Sequence, residues 1–241
     1  MGRGVEGFVL KLMGSKDFTV TVTDAEQITD HYRRVHCDDG GLLQQIDPHP
    51  TMWIRLWFDN GGKPHQRAYT VVNPNPQKGT FSLDFALHDG CAANWARTAQ
   101  PGDTIEATVQ GTGFTGPDPA PEHLYLIGDP ASIPAINSLL RHHSELPATV
   151  WLETGHESDT DIPLATVADH HEIHWVPRKN QGQALTDEVR AVLPDAIMEP
   201  ERAYVWIACE AAVTRTLASF ARKELGLPKN RVHALGYWRS R

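Results

Sequence analysis

The stretch that decides the fold runs from residue 123 to residue 155: HLYLIGDPASIPAINSLLRHHSELPATVWLETG. It opens on a short apolar run, His123 to Gly128, which a Gly-Asp-Pro break closes. The segment IPAINSLLRHHSEL spaces its apolar residues as a helix does, and ATVWLETG returns to a continuous apolar run. Strand, helix and strand in that order predict a βαβ unit with parallel strands. The order repeats downstream as HEIHWVPR (strand), QALTDEVRAVLP (helix), AYVWIACE (strand) and AAVTRTLASFARKELG (helix). Thr186, Asp187 and Glu188 put an acceptor and two anions where the middle helix is expected to begin, and Gly226 with Pro228 marks the stop of the last one. The expectation is an α/β domain on a parallel sheet.

Upstream the pattern changes. FTVTVTDAEQIT begins with alternation, and TMWIRLWFDN, RAYTVVNPNP, GTFSLDFALH and GDTIEATVQGTG continue a series of short strands. Turn residues separate them at Asn60-Gly61-Gly62, Asn75-Pro76 and Pro101-Gly102-Asp103. Such a series predicts an antiparallel barrel or sandwich, interrupted by one helix-like insert, CAANWARTAQ. The Pro- and Gly-rich tract GTGFTGPDPAPEH reads as the linker, which sets expected domains of 1–116 and 121–241.

At 241 residues, 40% hydrophobic and 22% charged, the chain can bury two cores of ordinary size. A formal net charge of −8 excludes a generic nucleic-acid binder, whose footprint is basic, while leaving room for a local basic pocket. Cys37, Cys91 and Cys209 stand far apart with no CxxC pair, which predicts free thiols in a reducing compartment. No run approaches the length of a membrane-spanning helix, so stable membrane insertion is not expected and the cytoplasm is the expected location. Thirteen histidines invite a metal reading. His170 and His174 would share a helix face, but the residues around them read as a strand, and no metal site is expected.

Five clusters carry candidate chemistry. In RAYT, alternation puts Arg67 and Tyr69 on one face of a strand and Ala68 and Thr70 on the other. Arg supplies a fork that matches phosphate, Tyr a rigid ring and Thr a short hydroxyl. That set suits FAD, although a solvated arginine above a cross-strand aromatic is the plain alternative. In Asp84 to Ala96, a strand ends at His88 and small residues open a helix, whose exposed N–H groups favour phosphate. Gly128-Asp129 follows a strand at the edge where α/β sheets bind ligands, without a GxGxxG fingerprint. Glu210 follows the last strand of the same series. The tail GYWRSR ends on two aromatics and two arginines.

Taken in order, RAYT, LDFALH, CAANWA, GDPASIPAI, IACE and GYWR resemble the siderophore-interacting proteins, flavin-dependent ferric-siderophore reductases within the ferredoxin–NADP reductase-like superfamily. The resemblance covers Phe18 to Arg241. It implies an N-terminal antiparallel FAD-binding β-barrel followed by a C-terminal parallel-sheet nicotinamide-binding α/β domain. Carried over, Arg67, Ala68, Tyr69, Thr70, Asp84 and His88, with the turn Ala92, Ala93, Asn94 and Trp95, should bind FAD. Gly128, Asp129 and Glu210 should line the nicotinamide side, with Glu210 the one candidate for a catalytic group. Tyr237, Trp238 and Arg239 should close the pocket over the flavin. The chain departs from the family pattern at Val72, Cys91, Asn94, Pro130, Ala131 and Cys209.

The resemblance also implies the reaction, in which NADPH or NADH reduces FAD and the flavin reduces the ferric iron of a siderophore for release. A ferredoxin donor is the other possibility. Lys229, Arg231, Arg239 and Arg241 either attract an anionic ferric chelate or form a solvated surface. Two other functions stay open: a general flavin oxidoreductase with another acceptor, and a non-enzymatic carrier of ferric chelates.

Overall fold

A computed structural model of the chain describes residues 16–165 and 168–240. The chain divides into two compact units, the first ending at Phe114 and the second beginning at Thr115.

The first unit is a closed antiparallel barrel. Its strands are β1 (Lys16–Thr29), β2 (Tyr32–Asp38), β3 (Trp53–Asn60), β4 (Lys63–Asn75), β5 (Thr80–Ala86) and β6 (Thr104–Val109), in spatial order β1-β2-β5-β4-β3-β6. Pairing of β6 with β1, from Lys16↔Val109 to Thr21↔Thr104, closes the ring and leaves no free edge. Val20, Val22, Val35, Ile54, Leu56, Leu83 and Ala107 alternate inward to fill it. Strand β2 was not legible as a separate element, because YRRVHCD has too few apolar residues to stand out. The helix α1 (Cys91–Thr98) follows β5, burying Ala92, Ala93 and Ala96.

The simple alternation expected of RAYT fails in an informative way. Arg67 and Ala68 are exposed, Tyr69 is half-buried, and Thr70, Val71 and Val72 are buried in succession. The reason is a change of partner: β4 pairs with β3 as far as Thr70↔Trp53, then with β5 from Val71↔Leu83. At Asn73, with φ 48°, the β4–β5 register slips, and the strand ends at Asn75, whose Oδ1 accepts the Lys78 N–H at 3.0 Å. The NPNP tract therefore bends the strand before it turns it.

The second unit is a five-stranded parallel sheet of β7 (His123–Gly128), β8 (Ala148–Thr154), β9 (His171–Pro177), β10 (Ala203–Ala208) and β11 (Val232–Ala234), ordered β11-β10-β7-β8-β9. The crossovers are α2 (Ile133–His142), α3 (Gln183–Ala196) and α4 (Ala211–Lys223). From β7 the chain proceeds to β8 and β9 on one side, then returns to β10 on the other, so the topological switch point lies between β7 and β10. The helix expected to start near Thr186 starts at Gln183 instead. Thr186 lies inside it, with its hydroxyl donating to the Gly182 carbonyl at 3.1 Å. Gly128 is fixed by packing: a Cβ there would lie 2.1 Å from Ser132 Oγ and 2.8 Å from Ile136 Cδ1, so only glycine lets α2 sit this close.

Candidate functional sites

In the barrel, the aromatic rings tie the RAYT strand to α1. Tyr69 on β4 lies 4.3 Å from Phe85 on β5 and 6.1 Å from Phe58 on β3, and both phenylalanines pack on Trp95 of α1. Burial pushes the Tyr69 phenol well above its ordinary range, with Arg67 pulling the other way. The phenol thus stays neutral and the ring acts as a fixed wall. Arg67, two residues earlier, donates from Nη1 to the Gln66 carbonyl at 2.9 Å and meets no carboxylate among the described residues. The first turn of α1 opens on Gly90 with no side-chain cap. An exposed arginine and uncapped helix N–H groups are each donors of the kind that suits a pyrophosphate. Ala92 and Ala93, expected to let a ligand come close, are instead buried in the barrel core.

Other expected contacts have other partners. Asp84 is a correction: its carboxylate accepts from Arg34 Nε and Nη2 at 2.7 and 2.8 Å and from the Tyr32 hydroxyl at 3.3 Å, inside the barrel wall. That is a buried structural ion pair. His88 is exposed, with Nδ1 2.8 Å from the Asp89 carbonyl, and Asn94 accepts from Arg97 Nη1 at 2.8 Å.

In the second unit, the carboxyl edge of the sheet gathers side chains from the ends of several strands and from the tail. Asp129, after β7, is buried and accepts the Trp238 indole N–H at 2.6 Å and the Ala131 N–H at 3.0 Å. Burial pushes its carboxyl up to about 7, the Trp238 bond opposes that shift, and Glu153 adds to it. Glu210 caps α4, accepting from Ala212 N and from Val213 N at 3.2 Å, and it also accepts from Ser240 N at 3.3 Å. Burial would raise that carboxyl, but these backbone donors and Arg215 outweigh it and hold it below its usual value. Both oxygens of Glu210 are thereby committed to the helix and the tail, which gives it a structural task rather than a free catalytic carboxylate.

The tail is an extension of β11. Leu235 N donates to Ile207 O at 3.0 Å, Tyr237 N to Cys209 O at 3.0 Å, and Ala211 N to Trp238 O at 2.9 Å. Tyr237 meets Trp206 edge-on. Trp238 lies under the Arg178 guanidinium, 4.6 Å from ring centroid to Cζ. The buried Cys209 thiol is pushed far up by burial, then by Asp129, which makes it inert packing.

Sequence reasoning passed over two residues here. Glu153, at the end of β8, and Arg178, just after β9, face each other at 3.7 Å. Their only signal was position, since each stands at a strand end on the edge where such sheets take ligands. Of the four basic residues proposed to attract substrate, Lys229 and Arg239 are exposed, and Arg241 lies outside the described residues. Arg231 is a correction: it is 2% exposed where the chain enters β11, so it is no surface cation. Among the described residues no group of histidine, cysteine, aspartate and glutamate forms a metal site, and no helix is long and apolar enough to cross a membrane.

Comparison with known proteins agrees with this geometry. Residues 121–241 match the family described as siderophore-interacting protein, and residues 25–111 match the siderophore-interacting FAD-binding domain. The mycobactin import ATP-binding/permease protein IrtA of Mycobacterium tuberculosis is 35% identical across 99% of this chain, which spans 28% of that protein. The chain thus spans about a quarter of the length of the first relatives it matches. The ferric acinetobactin reductase of Acinetobacter baumannii is 29% identical over 83% of this chain and 71% of its own. The solved structure of a siderophore-interacting protein from the same organism shares the fold, with a TM-score of 0.78 at 24% identity over 94% of this chain and 91% of that one. Barrel, parallel sheet and both matched segments converge: the chain belongs to the siderophore-interacting protein family.

Proposed function

We propose that the chain is a flavin-dependent ferric-siderophore reductase drawing electrons from a reduced nicotinamide nucleotide. The observation that carries this reading is the pairing of two matched units. A barrel that exposes Arg67 on β4 and carries an α1 with no side-chain cap suits a bound dinucleotide, and a parallel sheet whose carboxyl edge is lined by Asp129, Glu153 and Arg178 suits a second one. When bound, FAD supplies the conversion of a hydride into single electrons, chemistry that no side chain here provides.

The protein's own residues do the rest. Arg67 and the first N–H groups of α1 hold the pyrophosphate, and Thr70, buried where β4 changes partners, offers a hydroxyl from a rigid position. Tyr69, clamped by Phe58 and Phe85, and Trp95 behind it fix the wall of that site. On the sheet, Asp129 and Arg178 fix Trp238, and Glu210 fixes both the tail and the start of α4. Lys229 and Arg239 present positive charge locally on an acidic chain, which suits an anionic chelate. Ferric iron is the substrate: its hard oxygen ligands hold it tightly, and reduction to ferrous iron loosens that hold. Three free cysteines and the need for a reduced nucleotide fit the cytoplasm.

The test is turnover. Purified protein loaded with FAD receives NADH or NADPH and a ferric siderophore, with a colorimetric ferrous trap present. Trapped ferrous iron that depends on protein, FAD and nucleotide is the expected result. Binding of the chelate with no trapped ferrous iron would leave a carrier, and rapid oxygen or quinone reduction with no chelate reduction would leave a general flavin oxidoreductase.

A further inference from the structure

Among the described residues three large hydrophobic side chains are exposed, and two of them stand together: Val192 at 38% and Met198 at 84%. Val192 lies one helical turn before Ala196 on the same face of α3, and Met198 follows in the turn that leaves the helix. A cavity of about 240 Å³ opens there, between that turn and the first residues of β7 and β10. His123 and Tyr125, stacked with ring centroids 4.4 Å apart, line it together with Ile197 and Met198. The Tyr125 hydroxyl donates to the Ala196 carbonyl at 2.7 Å, which holds the end of α3 against the sheet. Burial, with Glu172 opposing, holds His123 below the ordinary histidine range, and burial raises the Tyr125 phenol. Both rings are therefore uncharged aromatic surface near pH 7.

This is the amino edge of the sheet, at the opposite end of the strands from Asp129, Glu153 and Glu210, and the reductase reading makes no use of it. Its charge is one-sided. Glu122 and Glu199 line the cavity, Asp195 and Glu201 are exposed along the same turn, and Arg202 is the one cation between residues 194 and 202. That cation is already shared, donating from Nη1 to Glu122 at 2.6 Å and pairing through Nε with Glu199 at 2.7 Å. The excess of carboxylates narrows the occupant. It would repel an anionic lipid surface or a nucleic acid, and a second copy would set two acidic patches against each other. A small aromatic molecule would fill the cavity but leave Val192 and most of Met198 uncovered. A polypeptide that is basic where this face is acidic covers both. Methionine suits such a contact, because its unbranched, polarizable side chain repacks around a partner.

We propose that the amino edge of the parallel sheet is a docking surface for a partner protein, which places an apolar side chain in the cavity over His123 and Tyr125 and flanks it with lysine or arginine. Val192, Ile197 and Met198 are the apolar contacts, and Glu122 and Glu199 meet the partner's cations. The inference stands apart from the reductase reading, since the surface lies at the other end of the strands from the residues assigned to the nucleotide.

A phage-displayed library of random seven-residue peptides tests it, panned on the full chain with the Met198→Asp/Glu199→Lys double variant as the subtracting bait. Met198 is exposed, so the substitutions should leave the melting temperature at the wild-type value; if the double variant does not fold, Met198→Asp alone serves as the bait. The expected result is enrichment of peptides with an aromatic or long aliphatic residue beside lysine or arginine. A synthetic copy of the enriched peptide, titrated calorimetrically, should bind Met198→Asp and Glu199→Lys each about five-fold more weakly than wild type or worse, the scale of an interface anchor. Its affinity should also fall with added salt. No enrichment over the bait, or enriched peptides that are acidic or lack an apolar residue, overturns the inference. Free indole that binds as tightly as the peptide makes the cavity a small-molecule site and overturns it. So does a wild-type dimer in sedimentation that Met198→Asp converts to monomer, because the occupant is then a second copy.

Discussion

Arg67 and Asp84 stand in neighbouring strands of one barrel and have opposite fates. Among the described residues the Arg67 guanidinium meets no carboxylate, so replacing it with Ala should cost the barrel little stability. FAD retention should weaken about ten-fold or more, the value of a charge-assisted bond to phosphate, as flavin fluorescence during dialysis would register. Asp84 behaves the other way. Its replacement by Ala leaves Arg34, whose side chain is only 17% exposed, with the more distant Glu26 carboxylate at 3.8 Å, and should destabilise the fold by about 3 kcal/mol in denaturant titrations. The local sequence put Arg67 forward as a candidate, because Arg-x-Tyr-Thr is read within four residues. It hid the pairing of Asp84, because Arg34 lies 50 positions away. Arg231 escaped for a similar reason: its flanking Lys229 and Asn230 look like surface, and only the entry into β11 buries it.

Asp129 gives a pH signature at the same scale. Its carboxyl is raised to about 7 from an ordinary 3.8, so the folded state holds that proton more tightly than the unfolded chain. Its contribution to stability is full below pH 4 and is lost as pH rises through about 7. Asp129→Asn keeps an acceptor for Trp238 and removes the titration. Denaturation midpoints at pH 5 and pH 8 should therefore fall more in wild type than in the variant, and equal falls would contradict the assignment.

The elements of the second unit were largely readable because each is a long run of one period bounded by Gly, Pro or Asp. HLYLIG is β7 to the residue, and the three helices lie where the apolar spacing put them. What failed was local chemistry at boundaries. Thr186 has the side chain of a helix start, yet α3 begins three residues earlier at Gln183, behind a left-handed Gly182. Strand β11 is three residues long and gains its meaning from the tail that extends it along the end of β10. Packing between elements also sets the cost of substitutions. Gly128→Ala would drive a methyl into Ser132 and Ile136, and α2 would have to lift off the sheet. A loss of about 2 kcal/mol or more in thermal or denaturant unfolding is expected, in the range of overpacked cores. In the barrel, by contrast, the β4 alternation misled because a strand that changes partner midway presents both its faces to the interior.

For the molecule as a whole, composition allowed two cores, and the structure shows two cores, one per unit, built on different sheet types. The proposed reduction runs on bound organic cofactors, FAD and a nicotinamide nucleotide. The most direct test of the account is therefore spectroscopic and anaerobic. FAD-loaded protein is mixed with NADH or NADPH while the flavin absorbance is followed, and a ferric siderophore is then added with a ferrous-iron trap. The account predicts bleaching by a nucleotide, return of the oxidised spectrum on adding the chelate, and trapped ferrous iron in proportion. A flavin that neither nucleotide bleaches, or a bleached flavin that the ferric chelate leaves unchanged, would contradict it.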